Sequence, residues 1–265
     1  MNYIRSRVLN GEVMFGIGAS LGSSLTVEMI GEAGFDWVWI DCEHGTGGYS
    51  ELISQVQAAC IGQAAPIVRI AWNEASYFKR VLDLGAAGIM VPYINTAEEA
   101  RYAARAMRYP YQGVRGVAMF NRACGFGREF SEYFCEANDN LLTVVQIETR
   151  EALENVDEIA AIEGVDVLFV GPLDLSVNLG IVQHFDHPDF VDALETVAQA
   201  CQRHGKAAGA LVPDLNYLEQ WMAKGFTFLV VGTDGGILAK GIKDTGSVCA
   251  RFKRGKNGLK FQDLD

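Results

Sequence analysis

The chain has 265 residues, 49% of them hydrophobic and 21% charged, a globular composition that excludes a wholly disordered, collagen-like or low-complexity protein. Its 22 Lys and Arg residues against 33 Asp and Glu residues give a formal net charge of −11. That balance disfavours nucleic acid and anionic membranes as partners, although a small anionic substrate needs only a local cluster of donors.

Eight short apolar segments recur along the chain and predict β-strands. Most are continuously apolar rather than alternating, which is typical of strands buried on both faces of a parallel sheet. In chain order they span 13–18, 35–41, 66–70, 88–91, 142–147, 165–170, 207–211 and 226–232. Amphipathic segments between them predict helices. These span 24–33, 50–61, 74–84, 96–107, 150–161, 188–204 and 214–224.

This alternation of strands and helices predicts the fold. Eight strand–helix units in about 250 residues are the expected content of a closed (β/α)8 TIM barrel. An open doubly wound sheet is the alternative, but no GxGxxG sequence opens the first helix. We therefore predict an α/β protein with a single barrel domain over residues 1–265.

The connection over 108–141, between the fourth predicted helix and the fifth strand, is longer than the others. A connection of this length usually carries a function or has secondary structure of its own. We predict a loop over 110–127 on the active-site face, followed by a helix over 128–138.

Cysteine usage and apolar content indicate the compartment. Six cysteines are widely spaced without a CxxC pair, which is typical of a reducing compartment. The first twelve residues lack an apolar segment, and no run approaches the ~20 apolar residues needed to span a bilayer. We expect a cytoplasmic protein with no membrane or nucleic-acid partner, and we interpret the basic stretch from Arg251 to Lys260 as a solvated tail.

In a barrel of this kind, side chains at the C-terminal ends of the strands converge on the active site. Two carboxylates, Glu148 and Asp174, follow neighbouring strands, and they suit a hard divalent cation such as Mg²⁺ or Mn²⁺. Capping of the following helix is the alternative for either residue alone. Together, beside the cationic Arg69, they favour the metal, because two carboxylates facing one cavity need a cation or a proton.

His44 and Arg69 are further candidates for chemistry. His44 lies three residues after Asp41, and an Asp–His pair can prepare an imidazole to act as a general base, although a histidine that caps a loop fits equally well. Arg69 lies on an apolar strand, where an unpaired charge is costly. Its partner is either Asp83, in a structural ion pair, or a substrate oxyanion, and the two are compatible.

The placement of lysines limits the reaction. Lys206 and Lys224 precede strands and so belong to the opposite face, and no lysine ends a predicted strand on the active-site side. Schiff-base chemistry therefore lacks its nucleophile. A bound metal is expected to act as the electron sink instead.

Five segments resemble the HpcH/HpaI aldolase family of metal-dependent class II pyruvate aldolases. They are FDWVWIDCEHG, PIVRI, VQIETREALENV, EGVDVLFVGPLDLS and FTFLVVGTDGGIL, and the likeness covers nearly the whole chain. The resemblance implies a barrel of the phosphoenolpyruvate/pyruvate type. It also implies reversible cleavage of a 4-hydroxy-2-oxo acid into an aldehyde and pyruvate, or an analogue such as hydroxypyruvate, through a metal-stabilised enolate. A CoA-ester lyase of the citrate-lyase type and a catalytically silent binding barrel are the alternatives.

The resemblance also implies catalytic roles. Glu148 and Asp174 would hold the divalent metal ion, which would be Mg²⁺, Mn²⁺ or Co²⁺. His44, oriented by Asp41, would be the base, acting through a water molecule. Arg69 would lie over the pyruvate oxygens and stabilise the enolate.

Substrate binding and assembly are likewise implied by the resemblance. Gln146 would bind near pyruvate, and backbone amides at Leu173 and Asp174 would hold the pyruvate carboxylate. The side chain of Leu173 would narrow the site. Arg122, in the long loop, is expected to help bind a polyhydroxy or carboxylated tail. Family members are commonly hexamers, trimers of dimers that exchange their last helix, which would give residues 237–250 a role between subunits.

Overall fold

The eight predicted strands form a closed parallel barrel in the computed structural model, which describes residues 3–253. Each strand pairs with the next one in the chain, and β8 pairs back with β1, so the predicted (β/α)8 barrel is confirmed. The strands are β1 (Met14–Ala19), β2 (Trp37–Asp41), β3 (Ala65–Arg69), β4 (Gly88–Val91), β5 (Leu142–Ile147), β6 (Val167–Val170), β7 (Ala207–Leu211) and β8 (Phe226–Thr233). The helices are α1 (Arg5–Leu9), α2 (Ser24–Glu32), α3 (Tyr49–Ile61), α4 (Ala75–Asp83), α5 (Ala97–Met107), α6 (Phe130–Asn140), α7 (Arg150–Glu154), α8 (Val156–Ala160), α9 (Pro172–Asn178), α10 (Pro188–His204), α11 (Leu218–Ala223) and α12 (Asp234–Lys253).

Side chains along each strand alternate between two hydrophobic clusters. On β2, Trp37 and Trp39 belong to the cluster inside the barrel, whereas Val38 belongs to the cluster between the strands and the surrounding helices. Trp37 stacks on Phe228 across the interior, with ring centroids 3.9 Å apart. Bulky rings therefore fill the barrel below the strand ends, as in other TIM barrels. By the same alternation Asp41, the last residue of β2, faces the mouth of the barrel.

Several predicted helices differ from the structure in their boundaries. The segment 150–161 forms two short helices, α7 and α8, which meet at Asn155. In 214–224 a short 3-10 helix precedes α11. The last helix, expected over 237–250, begins earlier, at Asp234, directly after β8.

The long connection over 108–141 lies on the face opposite the barrel mouth, so its predicted placement on the active-site face is wrong. Helix α5 runs antiparallel to β4, and the connection therefore starts and ends at the N-terminal ends of the strands. Within it, Nη1 of Arg122 donates a hydrogen bond to the carbonyl of Leu84, which ends α4 at that face (2.8 Å). The helix predicted over 128–138 forms as α6, displaced by two residues.

Three further observations concern apolar helices, the cysteines and the basic stretch. Within residues 3–253, no helix is long and apolar enough to cross a bilayer. All six cysteines lie in this part of the chain and carry free thiols. The basic stretch from Arg251 to Lys260 lies, beyond Lys253, outside the described residues.

Candidate active site

Polar residues from several strand ends lie around the C-terminal mouth of the barrel. Asp41 and Arg69 end the neighbouring strands β2 and β3, where they are paired in register. Gln146 and Glu148 lie at the end of β5, and Asp174 is in the first turn of α9, just after β6. Residues far apart in sequence converge here because every βα unit turns at this face.

Arg69 is held by Asp41 and not by Asp83. Its Nε donates to Asp41 Oδ1 (3.0 Å) and its Nη2 to Oδ2 (2.8 Å), while its guanidinium lies over the Trp39 ring, 4.4 Å from the centroid. Asp83 ends α4 on the opposite face and pairs there with Arg115 (2.8 Å), so the predicted Asp83 partner is wrong. Burial alone would raise the pKa of Asp41, but the bonds from Arg69 hold it below its ordinary value.

Glu43 brings a second carboxylate to Arg69, and the sequence analysis assigned it no role. Its Oε2 lies 2.9 Å from Arg69 Nη1. Burial raises the pKa of the Glu43 carboxyl above its ordinary value, and the positive charge of Arg69 offsets this only in part. The sequence feature that could have identified Glu43 is its position just after β2, between Asp41 and His44. In this part of the mouth, two carboxylates therefore pair with one arginine.

His44 is oriented differently from the prediction. Asp41 Oδ1 accepts the backbone N–H of His44 (3.2 Å), so it positions the loop and not the imidazole. The ring instead has Glu43 beside it, with Nε2 3.9 Å from Oε2. The side chain of His44 is 73% exposed. The imidazole is consequently open to solvent at the mouth, and the predicted Asp41–His44 side-chain pair is wrong.

Glu148 is only 2% exposed, and helix capping does not account for it. Thr149 caps α7 instead, its hydroxyl accepting an N–H from the first turn of the helix. Oε1 of Glu148 accepts the backbone N–H of Tyr93 (3.3 Å). Burial, with added repulsion from Asp174 and Glu43, raises the pKa of Glu148 to about 8, although the Tyr93 N–H acts in the opposite direction.

Asp174 faces the same space as Glu148. It lies three residues after Gly171, which is the cap residue of α9, so Asp174 does not cap the helix either. Its Oδ1 accepts the phenol O–H of Tyr93 (3.4 Å). A Cβ at Gly171 would lie 2.9 Å from both Cγ and Oε2 of Glu148, and the absence of a side chain there makes room for this carboxylate.

The donor set fits a hard divalent cation with open coordination positions. Glu148 and Asp174 offer the oxygen ligands that Mg²⁺ and Mn²⁺ prefer. Oε1 of Gln146 is buried and has no hydrogen-bond partner in the described part of the chain, so it is an acceptor still able to take a hydrogen bond at the mouth. Within residues 3–253, no group of three or more His, Cys, Asp or Glu side chains could hold a metal. Water and substrate would therefore supply the remaining ligands.

The outer part of the mouth contains one predicted residue and two that the sequence analysis missed. Leu173, at the start of α9, is 49% exposed beside Asp174. Tyr93 follows β4 by two residues, and Trp72 follows β3, with their ring centroids 6.2 Å apart. Both occupy strand-end positions, so the rule that identified the polar residues applies equally to these aromatic ones. Arg122 is not in this group, because it lies on the opposite face.

The two lysines lie on the opposite face of the barrel, as predicted. Nζ of Lys206 donates to the carbonyls of Ile162 (3.1 Å) and Val165 (2.8 Å), which precede β6. Lys224 follows α11 and pairs with Glu195 (3.3 Å). Neither ammonium group is placed to attack a carbonyl at the mouth.

Comparison with known proteins finds the same barrel and related sequences. The profile of the HpcH/HpaI aldolase/citrate lyase family matches residues 15–241. A 5-keto-4-deoxy-D-glucarate aldolase of Shigella dysenteriae serotype 1 (strain Sd197) is 38% identical over 236 residues, 89% of this chain and 92% of that protein. The crystal structure of an HpcH/HpaI aldolase/citrate lyase family protein from Burkholderia cenocepacia J2315 has a TM-score of 0.89 and 33% identity, covering 94% of this chain and 100% of that one. An HpcH/HpaI aldolase from Desulfitobacterium hafniense DCB-2 has a TM-score of 0.86 and 28% identity, covering 98% and 99% of the two chains.

Proposed function

The chain belongs to the HpcH/HpaI aldolase/citrate lyase family and is an aldolase, and we propose that it reversibly cleaves a 4-hydroxy-2-oxo acid into an aldehyde and pyruvate or hydroxypyruvate. The observation that carries this proposal is the pair Glu148 and Asp174. In each carboxylate, one oxygen accepts a hydrogen bond from Tyr93, and the other oxygen has no hydrogen bond in the described part of the chain. Arg69 supplies positive charge at the same mouth for an anionic substrate.

Glu148 and Asp174 would hold the cation, which we propose to be Mg²⁺, Mn²⁺ or Co²⁺. When bound, a divalent ion supplies Lewis acidity toward the 2-oxo group of the substrate. The raised pKa of Glu148 fits this assignment, because burial and the neighbouring acids disfavour the charged form of its carboxyl, and a bound divalent cation would stabilise that form. The absence of a strand-end lysine from the predicted site is consistent with the same chemistry.

Arg69 and Gln146 would bind the 2-oxo acid. At most three of the five N–H groups of Arg69 are engaged by Asp41 and Glu43, so donors remain for the substrate oxygens. We propose that these donors stabilise the negative charge that develops on the 2-oxo oxygen. The unpartnered Oε1 of Gln146 would lie beside the pyruvate moiety.

His44 would move the proton at C3 of pyruvate. Its imidazole is exposed at the mouth and lies near Glu43, so it can exchange protons with solvent and act through a water molecule. We propose that the backbone amides of Leu173 and Asp174 bind the pyruvate carboxylate, as the family resemblance implies. The side chain of Leu173 would restrict the space for the aldehyde.

Exchange of the pyruvate methyl protons with D₂O tests the proposal without knowledge of the aldehyde. Protein stripped with EDTA should lose the exchange, and added Mn²⁺ should restore it. Full exchange by stripped protein would overturn the metal-dependent mechanism. A catalytically silent barrel would give no exchange in either state, and a CoA-ester lyase would need a CoA ester for turnover.

The aldehyde is to be identified by a synthesis assay. The relative from Shigella dysenteriae is named for a sugar acid, and we propose that the acceptor here also carries hydroxyl or carboxylate groups. Glyceraldehyde, glycolaldehyde, lactaldehyde, tartronate semialdehyde and succinate semialdehyde would each be tested with pyruvate and with hydroxypyruvate. Propionaldehyde, which carries neither group, is the control, and a preference for it over all five would contradict this part of the proposal.

The last helix supports a homo-oligomer. Helix α12 exposes a set of large apolar side chains, which is unusual for a surface that faces only water. They are Ile237, Leu238, Ile242, Val248 and Phe252. We propose that a second copy of the chain covers them through exchange of this helix, in a hexamer of three dimers. Light scattering coupled to gel filtration should give six chains, and I242D should reduce that number.

The free thiols support a location in the cytoplasm. All six cysteines are unpaired, including the buried Cys124 and Cys201. Such usage is expected where thioredoxin and glutathione keep thiols reduced. Fractionation of the native host should recover the protein with cytoplasmic markers.

A further inference from the structure

Tyr93 is bonded to both proposed metal ligands through two different groups. Its backbone N–H donates to Oε1 of Glu148 (3.3 Å), and its phenol O–H donates to Oδ1 of Asp174 (3.4 Å). The two carboxylates come from different βα units and are 26 positions apart in the sequence. A single residue from a third unit therefore connects them.

These two bonds divide the carboxylate oxygens into two sets. One oxygen of Glu148 and one of Asp174 are bonded to Tyr93, while Oε2 of Glu148 and Oδ2 of Asp174 have no hydrogen bond in the described part of the chain. A carboxylate with one oxygen hydrogen-bonded in this way rotates less, so the range of positions open to its other oxygen is smaller. Hydrogen bonds of this kind to metal ligands are known to orient them and to tune their affinity.

The position of Tyr93 is itself fixed by its surroundings. Its φ of +52° is in the left-handed region, which a bulky residue adopts only where neighbouring contacts hold it. Nδ2 of Asn95 donates to the Tyr93 carbonyl (3.4 Å), and Oδ1 of Asn95 accepts a hydrogen bond from the Thr149 hydroxyl. Thr149 directly follows Glu148, so the loop that carries Tyr93 is tied to the loop that carries the metal ligand.

The ring of Tyr93 is supported on its outer side as well. Trp72 lies in the loop after β3 and is 57% exposed, and its ring centroid is 6.2 Å from that of Tyr93. The ring of Tyr93 thus has an aromatic neighbour in addition to the bond from its hydroxyl to Asp174. Its hydroxyl is presented to the carboxylate in a defined direction.

We propose that Tyr93 is a positioning residue that sets the separation and orientation of Glu148 and Asp174, leaving one oxygen of each carboxylate to bind a divalent cation. This inference rests on the proposed metal-dependent function and deepens it by assigning a residue outside the ligand pair. Tyr93 acts through the two carboxylates, and its hydroxyl is required for the bond to Asp174 but not for the bond to Glu148.

Titration of Mn²⁺ into the metal-stripped full chain, followed by calorimetry, tests this role. The Y93F protein keeps the backbone N–H but loses the bond to Asp174, and we expect its affinity for Mn²⁺ to fall about tenfold with one site retained. The matched control is Y217F, which removes a phenol–carboxylate bond of the same kind, from Tyr217 to Asp186 (2.8 Å), between two residues that make no hydrogen bond to Glu148 or Asp174. Y217F should bind Mn²⁺ as the unchanged protein does.

A second readout separates positioning from a general structural defect. Excess Mn²⁺ should restore proton exchange of pyruvate in Y93F to near the level of the unchanged protein, because in this proposal the phenol acts on Asp174 and not on the substrate. Thermal midpoints identify any misfolding, and Y93M provides a second variant without the hydroxyl that should show the same tenfold loss.

The possible failures are distinguishable. Binding of Mn²⁺ by Y93F and Y93M within twofold of the unchanged protein would overturn the positioning role and leave the proposed function intact. Normal Mn²⁺ binding with a loss of exchange that excess metal does not restore would also overturn it, since Tyr93 would then act on the substrate. An unchanged protein that binds no Mn²⁺ would overturn the proposed function, and the role of Tyr93 with it.

Discussion

Arg69 and Asp41 form a two-bonded ion pair at the base of the barrel mouth, with Nε 3.0 Å from Oδ1 and Nη2 2.8 Å from Oδ2. The side chains of both residues are 8% exposed, and the guanidinium lies on the face of Trp39. Two bonds in one plane fix the rotation of the guanidinium, which a single contact would not do. The pair therefore sets the direction of the remaining N–H donors of Arg69.

Replacement of Asp41 by Asn should weaken both the fold and the reaction. Loss of one partner from a buried pair costs about 3 kcal/mol of unfolding free energy, and Arg69 would then be free to turn toward Glu43. The pKa of Asp41 is held below its ordinary value of 3.8, so the contribution of the pair is present at neutral pH and is lost only as the pH falls through that lowered pKa. Urea unfolding of the unchanged protein and of D41N at pH 7, and at a series of pH values below 3.8, measures it.

The Arg115–Asp83 pair on the opposite face provides the matched control for Asp41. D83N removes one partner from another ion pair of a buried arginine (2.8 Å) and should also lower the unfolding free energy at pH 7. It should leave proton exchange of pyruvate unchanged, whereas D41N should reduce it. Equal exchange rates in the two variants would show that Asp41 has no effect on the chemistry beyond stability.

The barrel could be predicted because its strands are defined by local sequence. Leu142–Ile147 is buried along its whole length and Phe226–Thr233 along half of it, and the largely apolar character of both segments is visible without a structure. The rule that strand ends converge then placed Asp41, Arg69 and Glu148 at one mouth. Helix boundaries were less accurate, because the break at Asn155 depends on packing between α7, α8 and their neighbours.

Three features of the site were missed: the first two follow from the topology of the barrel, and the third depends on tertiary geometry. Asp83 is close to Arg69 in sequence, but α4 carries it to the other end of the barrel. Arg122 was assigned to the mouth although its loop joins a helix to a strand, and such connections lie at the opposite face. The two bonds of Tyr93 require knowledge of a left-handed backbone, which the sequence PYIN does not indicate.

Replacement of His44 by Ala should affect the reaction and not the fold. The side chain is 73% exposed and makes no buried contact that alanine would remove, so the unfolding free energy should stay within about 0.5 kcal/mol. Proton exchange of pyruvate should fall by roughly 10²–10⁴-fold, the usual contribution of a general base. Deuterium incorporation at the methyl group, followed by NMR, measures the effect.

The control for His44 is another exposed histidine. His184 lies in the loop between α9 and α10, and H184A should leave both stability and exchange unchanged. The assignment of His44 as the base fails if H44A exchanges the methyl protons of pyruvate as fast as H184A does.

Replacement of Gly171 by Ala should displace Glu148 and weaken metal binding. The backbone at Gly171 (φ −86°, ψ 97°) is open to any residue, so the effect comes from the new Cβ, 2.9 Å from Cγ and Oε2 of Glu148. We expect at least a tenfold loss of Mn²⁺ affinity, as is typical when the surroundings of a ligand are disturbed. G116A is the control, because its Cβ would meet nothing closer than Lys79 Cδ at 4.0 Å. Calorimetry that finds equal affinity in G171A and G116A would contradict the prediction.

Metal binding should depend on pH through Glu148. Burial and the neighbouring acids raise the pKa of this carboxyl to about 8, so at pH 7 the metal-free protein holds a proton there. A cation must displace that proton, and Mn²⁺ affinity should therefore rise by up to about tenfold per pH unit between pH 6 and 8 and then level off. Calorimetry at pH 7 in two buffers of different ionisation enthalpy should show release of close to one proton. No proton release would contradict the assignment.

The same shift makes stability of the metal-free protein depend on pH. The pKa of Glu148 is about 8 in the folded chain and near 4.5 when unfolded, so the folded state is favoured most below the unfolded value. That advantage is lost as the pH rises toward 8, by roughly 1.4 kcal/mol per unit. In EDTA, E148Q should consequently melt higher than the unchanged protein at pH 8.5, with the difference shrinking toward pH 5.5. Added Mn²⁺ should raise the thermal midpoint of the unchanged protein at pH 8.5 and raise that of E148Q much less, because a neutral amide oxygen is a weaker ligand than a carboxylate. A difference between the two proteins that stays constant from pH 5.5 to pH 8.5 would rule out Glu148 as the titrating group.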